Sequence, residues 1–155
     1  MKIAIGSDHR GFETKKIIKS VIAELGSECI DLGTDSNDPT DYPDWAYLVA
    51  NAVADGQADN GILICSTGIG MSIAANKVKG VRAALCHDEL SARYSKDHNN
   101  ANVLCIPGDQ VGETHVRKIV EVWLKTDFSG GRHQRRVNKI TAIEQGEDPR
   151  QCSDQ

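Results

Sequence analysis

Gly61-Ile-Leu-Ile-Cys-Ser-Thr-Gly-Ile-Gly70, continuing as Met71-Ser-Ile-Ala-Ala-Asn76, sets a short apolar run, a glycine-bearing turn and a helical stretch in immediate succession. That succession is the building unit of a parallel sheet, because a strand that leads straight into a helix must cross over before the next strand can pair with it. Working outward, β-type runs recur at Lys2–Gly6, Glu28–Gly33, Val81–Cys86 and Asn102–Ile106, each bounded by Gly, Asp, Asn or Pro. Between them lie helically spaced apolar sets: Ile17, Ile18, Val21, Ile22 and Leu25; Trp45, Leu48, Val49, Ala52 and Val53; Val116, Ile119, Val120, Trp123 and Leu124. Five strands alternating with helices predict a doubly wound α/β domain, a five-stranded parallel sheet with helices on both faces.

The chain has 155 residues, of which 39% are hydrophobic and 26% charged, too apolar for disorder and of a length for one core. We read a single domain over 1–144 and a polar tail over 145–155, mobile or docked on a neighbour. The net charge of −4 gives no electrostatic footprint for nucleic acid and disfavours it as a partner, a local basic patch aside. Five cysteines with no CxxC pair point to a reducing cytoplasm, and the apolar start turns polar too soon for a signal peptide or membrane span.

In open parallel sheets ligands bind beyond the carboxyl ends of the strands, where the strand order reverses. Gly6-Ser-Asp-His-Arg-Gly11 follows the first strand, Cys65-Ser-Thr-Gly-Ile-Gly70 the third, and His87-Asp88 the fourth. The turn after the third strand is neither a P-loop nor a GxGxxG dinucleotide motif. It exposes backbone N–H groups at a helix start, a place for an anion or a developing oxyanion, or it is a tight turn with glycines for backbone reasons alone. Cys65 stands where a helix dipole favours a thiolate, although a lone strand cysteine is more often a small buried hydrophobe. Asp8 and His9 fit acid–base work or anion binding, and Asp8 equally a helix cap. Asp41 reads as a cap for the helix that Pro43 opens, with Tyr42 near the pocket. His98-Asn99 opens the polar run before the fifth strand, where an imidazole serves as acid or base or sits on the surface. Asp127-Phe-Ser-Gly-Gly131 links to a last helix, on which Arg132 and Arg136 share a face suited to phosphate or simply to solvent. No clustered His, Cys, Asp or Glu spacing suggests a metal.

GSDHRG, DYPDWA, CSTGIGMSIAANK, ARYSKDHNNANVL and GGRHQRRVNKI, in this order and spacing, resemble the type B ribose-5-phosphate isomerases over roughly residues 1–140. The wider family includes galactose-6-phosphate isomerase subunits and allose-phosphate isomerases. The resemblance implies a Rossmann-like homodimer, or a dimer of dimers, with sites at the subunit interface, acting on a sugar phosphate without metal or cofactor. Carried over, Cys65 is the base that moves a proton between C1 and C2, His98 opens the furanose ring with Asp8 nearby, and Thr67 moves protons at the oxygens. The amides of Ser66, Thr67, Gly68, Ile69 and Gly70 hold the enediolate, Asn99 contacts the sugar, Tyr42 lines the pocket, and His9, Arg132 and Arg136 bind the phosphate. Ser66 replaces the usual glycine after the cysteine. Asp109 stands where many members carry a phosphate-binding arginine, and is expected to turn away from the pocket. A non-catalytic flavodoxin-like phosphate- or nucleotide-binding module, and isomerisation of a six-carbon sugar phosphate, are the competing readings.

Overall fold

The computed structural model describes residues 1–152. Five parallel strands, β1 (Lys2–Ser7), β2 (Glu28–Asp31), β3 (Asn60–Cys65), β4 (Ala83–Leu85) and β5 (Val103–Pro107), form one sheet in the order β2-β1-β3-β5-β4. Six helices accompany them: α1 (Phe12–Glu24), α2 (Tyr42–Ala54), α3 (Ile69–Ala75), α4 (Glu89–Asp97), α5 (Glu113–Lys125) and α6 (Arg132–Glu144). Strand β3 is central and buried at every residue, so it reads as a continuous apolar run rather than an alternating one.

The alternation of side chains along the strands divides the core. Ile3, Ile5, Ile62, Ile64, Leu104 and Ile106 face α1, α4 and α5, whereas Ala4, Leu63, Val103 and Cys105 face α2 and α3. Trp123 of α5, fully buried, donates its indole N–H to Ser95 Oγ on α4 at 3.1 Å, which ties the two helices on that face. The chain leaves β1 for β2 on one side and later returns for β3 on the other. The strand order therefore reverses between β1 and β3, and the crevice of an open sheet opens there.

Several expectations need correction. The run Val81–Cys86 pairs only over Ala83–Leu85, since β4 is an edge strand and Arg82 N–H bonds instead to the Asn102 side chain at 2.7 Å. Asp41 occupies the first cap position of α2 without a side-chain cap bond. Asp8 does cap: its Oδ1 accepts the N–H groups of Arg10 at 2.9 Å and Gly11 at 3.1 Å, closing the 3-10 turn His9–Gly11. His98 and Asn99 do open the connection to β5, directly after α4, which runs up to Asp97 with His98 as its C-terminal cap. Within the tail, Pro149–Gln151 forms a 3-10 turn, and Lys139 of α6 donates to Pro149 O at 3.0 Å. Residues 153–155 lie outside the described residues. Among the described residues no helix is long and apolar enough to cross a membrane.

Candidate active site

Cys65 ends β3 and is almost wholly buried, its Sγ accepting the N–H of Gly68 at 3.2 Å. That bond needs the chain to fold back within three residues, which Gly68 permits with φ of +72°. A side chain there would also lie 2.6 Å from Leu85 and 3.0 Å from the backbone of Ile106. Thr67 Oγ1 accepts the N–H of Ile69 at 3.3 Å, and Ile69 and Gly70 open α3, where N–H groups lack intrahelical acceptors. The Tyr42 ring covers Gly70 so closely that a Cβ on Gly70 would come within 2.6 Å of it. The aromatic ring and the turn therefore form one wall.

Next to this wall, across the reversal point, lie Asp8 and His9. Burial pushes the Asp8 carboxyl above the ordinary carboxylate range, against the pull of the Gly11 and Arg10 amides and of His9. His9 Nδ1 accepts the N–H of Thr40 at 3.2 Å, which leaves Nε2 as the nitrogen for the ring proton of the neutral imidazole.

Asp109 does not turn away. It lines a hollow with His9, Arg10, Glu13, Thr14 and Asn37, and one carboxylate oxygen accepts both Arg10 Nε at 2.9 Å and Arg10 Nη2 at 2.6 Å. The reason is topological. Loops from β1 and β5 flank the end of β3, and they pack so closely that a Cβ on Gly108 would meet the Arg10 carbonyl at 3.2 Å. Burial works to raise the Asp109 carboxyl, but the Ser66 hydroxyl, Arg10 and His9 hold it below its ordinary value.

The remaining sequence-selected residues lie elsewhere. His98, at the end of α4, is sandwiched between Tyr94 (centroids 4.6 Å apart) and His133 (4.2 Å), with Asp97 Oδ2 at 3.6 Å from its Nε2. Arg132 and Arg136 flank His133 on α6, and Asn99 lines a groove between β4 and α6 with Arg82, Ile140 and Ile143. Lys96, two residues before His98, reaches Asn60, the first residue of β3, whereas Cys65 is the last. With strands rising about 3.3 Å per residue, those two ends are about 17 Å apart. The structure thus gathers the selected residues into two groups: Asp8, His9, Tyr42 and Cys65–Gly70 at the carboxyl end of the sheet, and His98, Asn99, Arg132 and Arg136 at the amino end.

Sequence reading passed over Arg10, Tyr94, Asp97 and His133. The signal for His133 was available, since it stands four residues before Val137 and both are buried on α6. Among the described residues no three or more His, Cys, Asp or Glu side chains are grouped to hold a metal ion.

The Ribose/Galactose Isomerase family model matches residues 3–140, which take in all of both groups. The chain belongs to this family. Relatives in it include the ribose-5-phosphate isomerase B of Escherichia coli, 52% identical, with 93% of this chain and 97% of that protein covered. The solved structure of Clostridium thermocellum ribose-5-phosphate isomerase B superposes with a TM-score of 0.93 at 50% identity, covering 94% of this chain and 99% of that one. The ribose-5-phosphate isomerase B of Mycoplasma genitalium, solved with bound ribulose 5-phosphate, gives 0.88 at 46% identity, covering 93% and 96%.

Proposed function

We propose that the protein interconverts ribose 5-phosphate and ribulose 5-phosphate through a cis-enediolate. The observation that carries this reading is the Cys65–Gly70 wall, a thiol and a turn of amides on one strand end. Cys65 takes the proton from C2 of the open-chain aldose and returns it to C1, while Thr67 moves the proton between O2 and O1. The charge that develops on those oxygens meets the amides of Ser66–Gly70, and each preorganised donor of this kind is worth about 2.7–4 kcal/mol in the transition state. His98, with Asp8 nearby, opens the furanose ring, and Asn99 and Tyr42 hold the sugar. His9, Arg132 and Arg136 take the phosphate, whose binding energy keeps the reacting carbons in line. A proton transfer of this kind calls on no cofactor, so turnover is expected to survive exhaustive chelation, and a loss restored by one divalent ion would refute that part.

Cys65 and His98 at opposite ends of one sheet support a homodimer in which a second copy, related by a twofold axis, brings its His98, Arg132 and Arg136 to the Cys65 of the first. The relative solved with ribulose 5-phosphate supports a five-carbon substrate. The test is turnover of a panel of aldose phosphates in deuterated water. Ribose 5-phosphate should gain deuterium at C2 and be converted fastest. A higher kcat/KM on allose 6-phosphate or galactose 6-phosphate would move the assignment to a six-carbon sugar, and no exchange into any sugar would leave a phosphate-binding module.

A further inference from the structure

We propose that His133 is a positioning residue for ring opening: stacked flat on His98, it fixes the plane of that imidazole. The inference rests on the role proposed above for His98. His98 is the middle ring of three, with interplanar angles of 17° to Tyr94 and only 5° to His133. Both of its faces are covered, so it can meet a sugar only edge-on. A ring held in that way keeps its nitrogens on a fixed line, which proton transfer over hydrogen-bond distance requires.

Facing His98 are the Tyr94 ring and the Asp97 carboxylate, the latter also bonded to the Ser129 hydroxyl. Around His133 stand Arg132, Arg136 and His98, opposed by Asp97, and the residue is only 9% exposed. Burial first, and then these cations, hold its proton affinity below that of an ordinary histidine. Arg132 Nε donates toward His133 Nε2 at 3.5 Å, a contact that uses the lone pair of a neutral ring. Two parallel imidazolium rings with centroids 4.2 Å apart would repel, which adds to the forces that disfavour a proton on His133.

Chemistry supplies a clean test, because ribulose 5-phosphate cannot close a five-membered ring once O5 is phosphorylated. Its deuterium exchange at C1 therefore needs Cys65 but no ring opening. His133→Ala should lower kcat on ribose 5-phosphate about tenfold, with KM nearly unchanged and exchange into ribulose 5-phosphate preserved within about twofold. His133→Phe, which keeps a flat ring in the stack, should recover most of that loss. Equal losses on both sugars, no loss on either, or a Phe variant as impaired as the Ala variant would each overturn the proposal. A separate arm follows the ring protons of His98 by NMR in the full-length protein: the ring-current displacement that the stack imposes should relax in His133→Ala and persist in His133→Phe. Ring protons unmoved by His133→Ala would overturn the positioning role even in a protein that turns over no sugar, whereas absence of exchange into either sugar with wild type would instead overturn the function proposed above.

Discussion

At the scale of the residue, the chemistry is concentrated in side chains held by backbone. Cys65 Sγ is fixed by the Gly68 amide, not by another side chain, so Cys65→Ala should leave the turn standing. We expect that variant to fold and bind sugar phosphate while losing about 10²–10⁴ of the solvent exchange at C2, the range a positioned base contributes. Full activity would remove Cys65 from the mechanism. Asp109 poses the opposite question, since a carboxylate beside a phosphate site should repel a dianion. Its pairing with Arg10 neutralises it, and in the proposed function the phosphate falls to His9, Arg132 and Arg136. Arg136→Ala should raise KM for ribose 5-phosphate by roughly ten- to a hundredfold, the worth of one charged hydrogen bond. Asp109→Ala, which only frees an exposed ion pair, should change it less. If Asp109→Ala proves the more damaging, the β5 loop touches the substrate directly. The sequence pointed to Asp109 as an anomaly but could not name its partner, because Arg10 and Asp109 meet only once β1 and β5 flank β3.

At the scale of the element, α4 is the least legible and the most informative. Only Ala92 and Ser95 are buried on it, so periodicity barely announces a helix. The local signal was at its start, where Asp88 accepts the Ser91 N–H at 2.7 Å and Ser91 Oγ reaches back to the Asp88 N–H at 3.3 Å, a reciprocal cap. Its last turn is pinned by Lys96, whose amine lies 4.2 Å over the Trp123 ring and bonds Asn60. Burial first, and then Arg82, bring the Lys96 pKa down to about 8, from an ordinary value of about 10.4 in the unfolded chain. Between those values the unfolded chain binds more protons, so the native state gains stability as pH rises from about 8 toward about 10.4, relative to a chain without this amine. Wild type should therefore gain melting temperature against Lys96→Met over that window, as calorimetry at pH 7 and pH 10 would read. A constant difference between the two proteins would show that the amine is not desolvated.

At the scale of the whole molecule, one chain carries two groups of candidate site residues at opposite ends of its sheet. If each active centre pairs Cys65 of one copy with His98 of the other, then Cys65→Ala and His98→Asn homodimers are both impaired, and a mixed dimer regains one intact centre of two. Random re-pairing of equal amounts should restore about a quarter of wild-type turnover, and no recovery on mixing would place both residues in one chain's site. Much of this protein could be determined from sequence alone: the five strands, the alternation with helices and the parallel sheet. These follow from local periodicity and turn chemistry, which act over a few residues. Even the start of α6 at Arg132, and the shared face of Arg132 and Arg136, were legible, because Gly130 and Gly131 end the linker with positive φ. Only the tertiary structure decided that β3 stands between β1 and β5, that Asp109 meets Arg10, that His133 stacks on His98, and that Cys65 and His98 face opposite ends of the sheet. Those facts depend on strand order and on contacts between residues far apart in the chain, which local preference does not encode.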